Sequence, residues 1–404
     1  YVKQSNIWQP RLGFSWDVMG DSSLKIYGTA GTYSLPIAAN VALRAASASI
    51  YSIHDQYYTG VNPITGAPIG LQNIPDADPN HDRVAYAETY YANGANGRTP
   101  QASWVADKDL KPYKQDEFIL GAQKQLDNDW TVGIRLMHRK LRNAIDDACD
   151  WRPFYNYAVN VLGLPPQSDA NPGGVPESTP SGVPGCYIFN PGRGVDLNIP
   201  LTQDDADAGI SRHVKLSSHD LGQPKAKRSF SSVELSAEKS WNDKWYVKAS
   251  YVWAKSYGNT EGLVKSDIGQ ADTGTTQDFD YPELMYYSNG NLPNDRKHTI
   301  KVYGSWQVTP EWMVGANLLV QTGRPKNCFG VNEDWDAYAG YGSNASYFYC
   351  QGQPVARGSL GRTKTLWNLD LGVNYKPAWA KGLQLSMDIT NVFNRHTPLT
   401  IDEA

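Results

Sequence analysis

Ten segments of 11–14 residues, several alternating cleanly between apolar and polar side chains, pair off along this chain as five hairpins: 8–18 with 24–34, 113–126 with 130–142, 228–241 with 244–256, 296–308 with 312–324, and 364–376 with 383–394. Inside each hairpin the joint is short, at 19–23, 127–129, 242–243, 309–311 and 377–382. Between hairpins it is long, roughly 35–110, 143–226, 257–294 and 325–363. All short joints therefore fall at one end of the strands and all long ones at the other.

The period is two, the signature of a strand with two unlike faces. In 244–256, Trp245, Val247, Ala249, Tyr251 and Trp253 share one face, against Lys248 and Ser250. In 364–376, Trp367, Leu369, Leu371, Val373 and Tyr375 oppose Asn368, Asp370 and Asn374. A soluble antiparallel sheet with one wet face also alternates, but soluble strands typically run about 5–6 residues. About 9–11 tilted residues cross a bilayer. Trp245 and Trp253 lie roughly 26 Å apart along their strand. With a tilt of about 40° that is close to the roughly 25 Å between aromatic girdles. Arg11, Asp17, Glu234, Glu238, Lys248, Lys301, Asp370 and Asp388 occupy the other face. They must meet a polar lumen, since Arg or Lys facing lipid at the midplane costs about 2–4 kcal/mol.

The expected fold is thus all-β: a transmembrane antiparallel β-barrel with tight inner turns and long extracellular loops. No run of 18 apolar residues exists, which excludes membrane-spanning helices. Tyr (25) and Trp (13) far outnumber Phe (9), favouring rings with one polar end, as suits a membrane–water boundary or a gripping loop.

The formal charge of −4 is unevenly spread. The four long loops hold 26 acidic and 13 basic residues, while strands and turns are net basic. A nucleic-acid binder would expose a basic patch, so nucleic acid is not an expected partner. Seven His residues are scattered, and no HExxH, GxSxG or P-loop pattern occurs. The expectation is a protein that is not an enzyme.

The segments 111–126 (KPYKQDEFILGAQKQL), 139–150 (RKLRNAIDDACD), 256–284 (SYGNTEGLVKSDIGQADTGTTQDFDYPEL), 292–318, 322–330 (TGRPKNCFG) and 369–394 (LDLGVNYKP…MDITNVFN) resemble the Oar-like subgroup of TonB-dependent outer-membrane receptors. The resemblance covers nearly the whole chain. It implies a 22-stranded barrel closed by an N-terminal plug, in the outer membrane of a Gram-negative bacterium beside lipopolysaccharide. Import would be driven by TonB–ExbB–ExbD. A TonB box, a plug and a final strand ending in an aromatic residue are not found here, so residues 1–404 are expected to be the C-terminal part of the barrel, strands 12–21, with coupling carried by other residues.

The expected function is uptake of an extracellular peptide, protein or oligosaccharide; the alternative is a surface binding or adhesion protein that uses the barrel as an anchor. Loop aromatics are the ligand candidates: Tyr57, Tyr58, Tyr90, Tyr91, Tyr286, Tyr287, Trp335 and Tyr338. They offer stiff contact area with a hydrogen-bonding tip, though the same rings could instead pack together to order the loops. Asp76, Asp78, Asn80 and Asp82 alternate like the start of a calcium loop. His81 stands where that loop needs Gly and Ala87 where it needs a bidentate Glu, so an Asx-bonded turn is the other reading. Otherwise no cofactor is expected. The acidic third loop, 257–294, would either attract cations or form a hydrated outer surface. Four cysteines without CxxC spacing suggest Cys149–Cys186 and Cys328–Cys350, each closing its own loop in an oxidising compartment.

Overall fold

The computed structural model describes residues 2–5, 7–39, 41–42, 50–54, 56–73, 87–91, 99–126, 129–270, 274–342, 346–399, 401 and 403. Ten long strands form one antiparallel meander: β1 (Arg11–Asp17), β2 (Leu24–Leu35), β3 (Tyr113–Gln125), β4 (Trp130–Asn143), β5 (Arg228–Lys239), β6 (Trp245–Gly258), β7 (His298–Gln307), β8 (Trp312–Gln321), β9 (Leu366–Tyr375) and β10 (Leu385–Ile389). Each pairs with its sequence neighbour, so β1 and β10 are the two ends of the sheet. No helix among the described residues is long and apolar enough to cross a membrane. The strands cross instead.

Register shows why the alternation matters. Leu136 pairs with Val233 and Ile134 with Leu235, while Arg135 pairs with Glu234 between them. Leu12, Phe14 and Trp16 on β1, and Leu385, Met387 and Ile389 on β10, stand uncovered by any protein. In water such a face would be untenable; in a bilayer it is solvated by acyl chains. The opposite face carries cross-strand polar pairs: Arg135 with Glu234, Arg139 with Glu117, Lys248 with Glu238 at 2.9 Å, and Asn317 with Asp370 at 3.3 Å. Opposite charges facing across a strand pair hold the register that puts every apolar side chain on one side.

Rings mark both ends of the apolar face. At the short-turn end Trp130 meets Trp245 edge-on at 6.0 Å, and Trp312 stacks on Tyr375 at 4.3 Å. Lys239 lies over the Trp245 ring and pairs with Asp129 at 3.1 Å, keeping its ammonium at the boundary. At the long-loop end stand Trp253 and, packed on Phe393, Trp367.

Two strands are shorter than expected. The segment 8–18 yields only Arg11–Asp17. The alternation of 383–394 yields only Leu385–Ile389. Asn391 and Asn394 take left-handed backbone angles, φ 50° and 47°, and the Asn391 amide donates to Asp370 rather than to a ladder. Asn tolerates that region where most residues do not.

Candidate functional site: the outer loop layer

The largest buried apolar cluster lies above the strands, in the loops. Loop 144–227 folds rather than hangs. Strand Asp146–Ala148 pairs with Tyr187–Phe189, and Val195–Ile199 with Arg212–Leu216. Val195, Leu197 and Ile199 point inward, with Asp196 and Asn198 out, and meet Val214 and Leu216. Trp151 and Phe154 stack at 4.9 Å, and Tyr187 meets Phe154 edge-on. The stretch 164–185 has only isolated bridges, yet it buries Val175 and Val183 in the same core. Cys149 and Cys186 are joined across it, and Cys328 is joined to Cys350 in the last long loop.

Neighbouring loops share this layer. Val41, Ala106 and Leu110 from the first long loop pack on Ile145 and Ile188 of the second. Phe279 and Met285 of the third enter the second loop's core. Leu284 and Tyr347 join the third to the fourth. Asn190 clamps the first to the second, accepting from the Lys111 amide at 2.7 Å and donating to the Ala144 carbonyl.

The described acidic residues of the third loop are neither a hydrated skirt nor an open cation trap. Lys265, Asp267, Asp278 and Arg357 are buried together, with Lys265 2.9 Å from Asp278 and Arg357 3.4 Å from both Asp267 and Asp278. The Phe348 ring lies against both cations and the Phe329 ring against Lys265. Burial pushes the Asp278 carboxyl up, but Lys265 and Arg357 outweigh it and hold it below its ordinary value. The Gly290 backbone passes so close to Arg357 that a Cβ there would lie 2.0 Å from the Arg357 carbonyl. Nearby, burial and then the neighbouring Asp147 push the Asp146 and Asp280 carboxyls well up, against hydrogen bonds from Thr276 and Tyr341 respectively.

Above this charged core three loops converge on an aromatic cluster. Trp335 sits on the turn Glu333–Asp336, whose Asn332 side chain accepts from the Trp335 amide. It meets Tyr286 edge-on at 5.4 Å, stacks with Tyr287 at 6.2 Å, and packs on Tyr347 and Tyr349. From the second loop, Arg152 forks onto Asp150 and Glu283 and lays its guanidinium 4.6 Å from the Tyr338 ring centre. Tyr287 holds φ 60°, with its carbonyl pinned by the buried Arg357 amide at 2.9 Å. Behind the cluster, burial and then the Asp336 hydrogen bond raise the Tyr347 phenol.

A family model described as an outer membrane beta barrel domain matches residues 1–323. The chain belongs to that family. The TonB-dependent transporter Oar of Myxococcus xanthus is 23% identical over 420 residues, covering 98% of this chain and 32% of Oar. This chain thus spans about a third of that relative's length. Among solved structures, the outer membrane transporter YddB from Escherichia coli is 12% identical, with TM-score 0.48, over 97% of this chain and 38% of its own. The siderophore receptor PiuA from Acinetobacter baumannii is 11% identical, with TM-score 0.44, over 96% and 32%. The barrel domain lies in the outer membrane of a Gram-negative bacterium, and the Oar-like resemblance holds over nearly all of it.

The structure gathers Tyr286, Tyr287, Trp335 and Tyr338 in one region of the layer. Tyr58 is exposed. Tyr57 lies on a two-residue ladder, Gln56–Tyr57 with Gln72–Asn73, and Tyr90 and Tyr91 on Ala87–Tyr91, paired with Ile50–His54. Asp76, Asp78, Asn80 and Asp82 lie outside the described residues. Arg152 was not among the candidates. It follows Asp150 closely in sequence, but its second carboxylate, Glu283, is 131 residues away, so no local pattern could mark it.

Proposed function

We propose that this barrel domain is part of an outer-membrane receptor that binds an extracellular peptide, protein or oligosaccharide in its loops and passes it inward with TonB-supplied energy. The observation that carries this reading is the ordered loop layer, with an aromatic cluster at the junction of three loops, on a membrane wall related to a TonB-dependent transporter. In this reading residues 1–404 supply about ten strands of a 22-stranded wall. Lipopolysaccharide borders it, a plug and the TonB–ExbB–ExbD partners act through residues elsewhere in the protein, and no catalysis occurs. An anchor for adhesion would need no energy, so the decisive measurement is ligand accumulation by cells carrying the full-length receptor, with and without TonB. Accumulation that stops without TonB is expected; accumulation that persists would reject energy coupling. The Asp76–Asp82 run would bind calcium in the same reading, and a titration producing neither heat nor ordering would reject that part.

A further inference from the structure

The geometry points to the Tyr286–Tyr287–Trp335–Tyr338 cluster as a docking site for an arginine-bearing polypeptide segment. This deepens the receptor reading and rests on its outward placement of the loops. Three of these residues are well exposed: Tyr286, Tyr287 and Tyr338 are 44%, 53% and 67% exposed, although Tyr286 and Tyr287 also pack on Trp335 and Tyr338 on Arg152. Large exposed rings held rigid from behind lose little entropy on binding.

Charge selects the occupant. The turn that presents Trp335 carries Glu333 and Asp334, both exposed and with no ion pair among the described residues. By contrast Asp267, Asp278 and Glu283 of the third loop are consumed internally by Arg357, Lys265 and Arg152. Ring faces attract cations through their quadrupole, and a carboxylate beside the ring completes the site for guanidinium. The molecule already makes this arrangement once, since Arg152 lies over Tyr338 while forking onto carboxylates. Tyr287 adds a second sign of selection. A bulky residue at φ 60° persists only where its surroundings enforce it, and here the buried Arg357 amide holds its carbonyl.

A sugar could also stack on these rings, but it would gain nothing from Glu333 and Asp334. The test therefore uses outer-membrane vesicles carrying the full-length receptor and three probes: a short alternating Gly–Arg peptide, its Gly–Glu counterpart, and a neutral oligosaccharide. The Gly–Arg peptide is expected to bind, more weakly as salt rises, and the Gly–Glu peptide not to bind. Glu333→Gln with Asp334→Asn, which touches only exposed side chains, should weaken Gly–Arg binding roughly threefold to tenfold. Tyr338→Ala and Trp335→Phe should weaken it by a similar factor, with protection of Cys328–Cys350 from thiol labelling reporting an intact loop. Binding of Gly–Arg and Gly–Glu alike, absent Gly–Arg binding, or variants without effect would overturn the proposal. So would preferential oligosaccharide binding, which would leave the receptor reading standing. TonB dependence of uptake judges that reading separately.

Discussion

Arg152 and Glu283 lie 131 residues apart in sequence and meet through two hydrogen bonds of 2.7 and 2.8 Å, joining the second long loop to the third. The same guanidinium faces the Tyr338 ring of the fourth. Three loops are thus tied by one side chain.

Replacing Arg152 by Ala leaves two largely covered carboxylates, Asp150 and Glu283, without their counterion. We expect a local loss of about 2–4 kcal/mol, read as faster hydrogen exchange in 279–288 and 335–341 with the strands unchanged. Arg152→Lys keeps the charge without the fork and should recover only part of the protection. Full recovery would assign the effect to charge alone.

Arg357 is fully buried between Asp267 and Asp278. Arg357→Ala should cost about 3–5 kcal/mol, because two carboxylates lose their partner in a water-poor site. Gly290→Ala should open the same junction by steric contact with the Arg357 carbonyl. Limited proteolysis of the fourth loop would register both; wild-type resistance in either variant contradicts this account.

The loop layer should also loosen as pH rises above the ordinary carboxylate range. Asp146 and Asp280 have folded-state values above ordinary carboxylates, so the folded layer holds more protons than the unfolded one. Stability is then fully present below the ordinary carboxylate range and is lost progressively above it. Asp278 works in the other direction, since its lowered value adds stability above the ordinary range that disappears only on strong acidification. Asp280→Asn should flatten the upper slope of loop hydrogen exchange against pH. An unchanged slope would remove Asp280 from the explanation.

Cys149–Cys186 and Cys328–Cys350 span 37 and 22 residues, each within a single loop. Reduction should cost the layer about 3–4 kcal/mol per bridge through regained loop entropy, yet leave the strand ladder intact. Mass-resolved hydrogen exchange would show faster exchange in 144–227 and 322–365 only. Loss of protection in β4 or β8 would show that wall and loops unfold together.

The two faces of the wall can be told apart by charge. Leu235→Arg, on the uncovered apolar face, should destabilise folding into lipid by about 2–4 kcal/mol. Ser236→Arg, on the face with Arg135 and Glu234, should cost much less. A denaturant titration in vesicles compares them directly, and equal costs would refute the face assignment.

The ten strands and the direction of their loops were legible in the residues alone. Val233, Leu235 and Ala237 against Ser232, Glu234 and Ser236 is a local pattern, because side chains of a strand alternate whatever it pairs with. β1 and β10 came out shorter than expected, β10 where Asn391 and Asn394 leave the extended region. Cysteine placement within loops likewise anticipated both bridges. The loop layer was not legible. Asp146 meets Thr276 across 130 residues, and Arg357 meets Asp267 across 90. Such pairs have no period and no spacing rule, so the third loop's acids read as solvent-facing until folding placed Lys265 and Arg357 among them. Sequence alone determined a membrane-spanning, alternating wall with turns at one end, since that information repeats every two residues. Tertiary structure decided which distant loops share a core and which four aromatics gather at their junction, since burial of a charge or ring depends on neighbours that the chain brings in from far away.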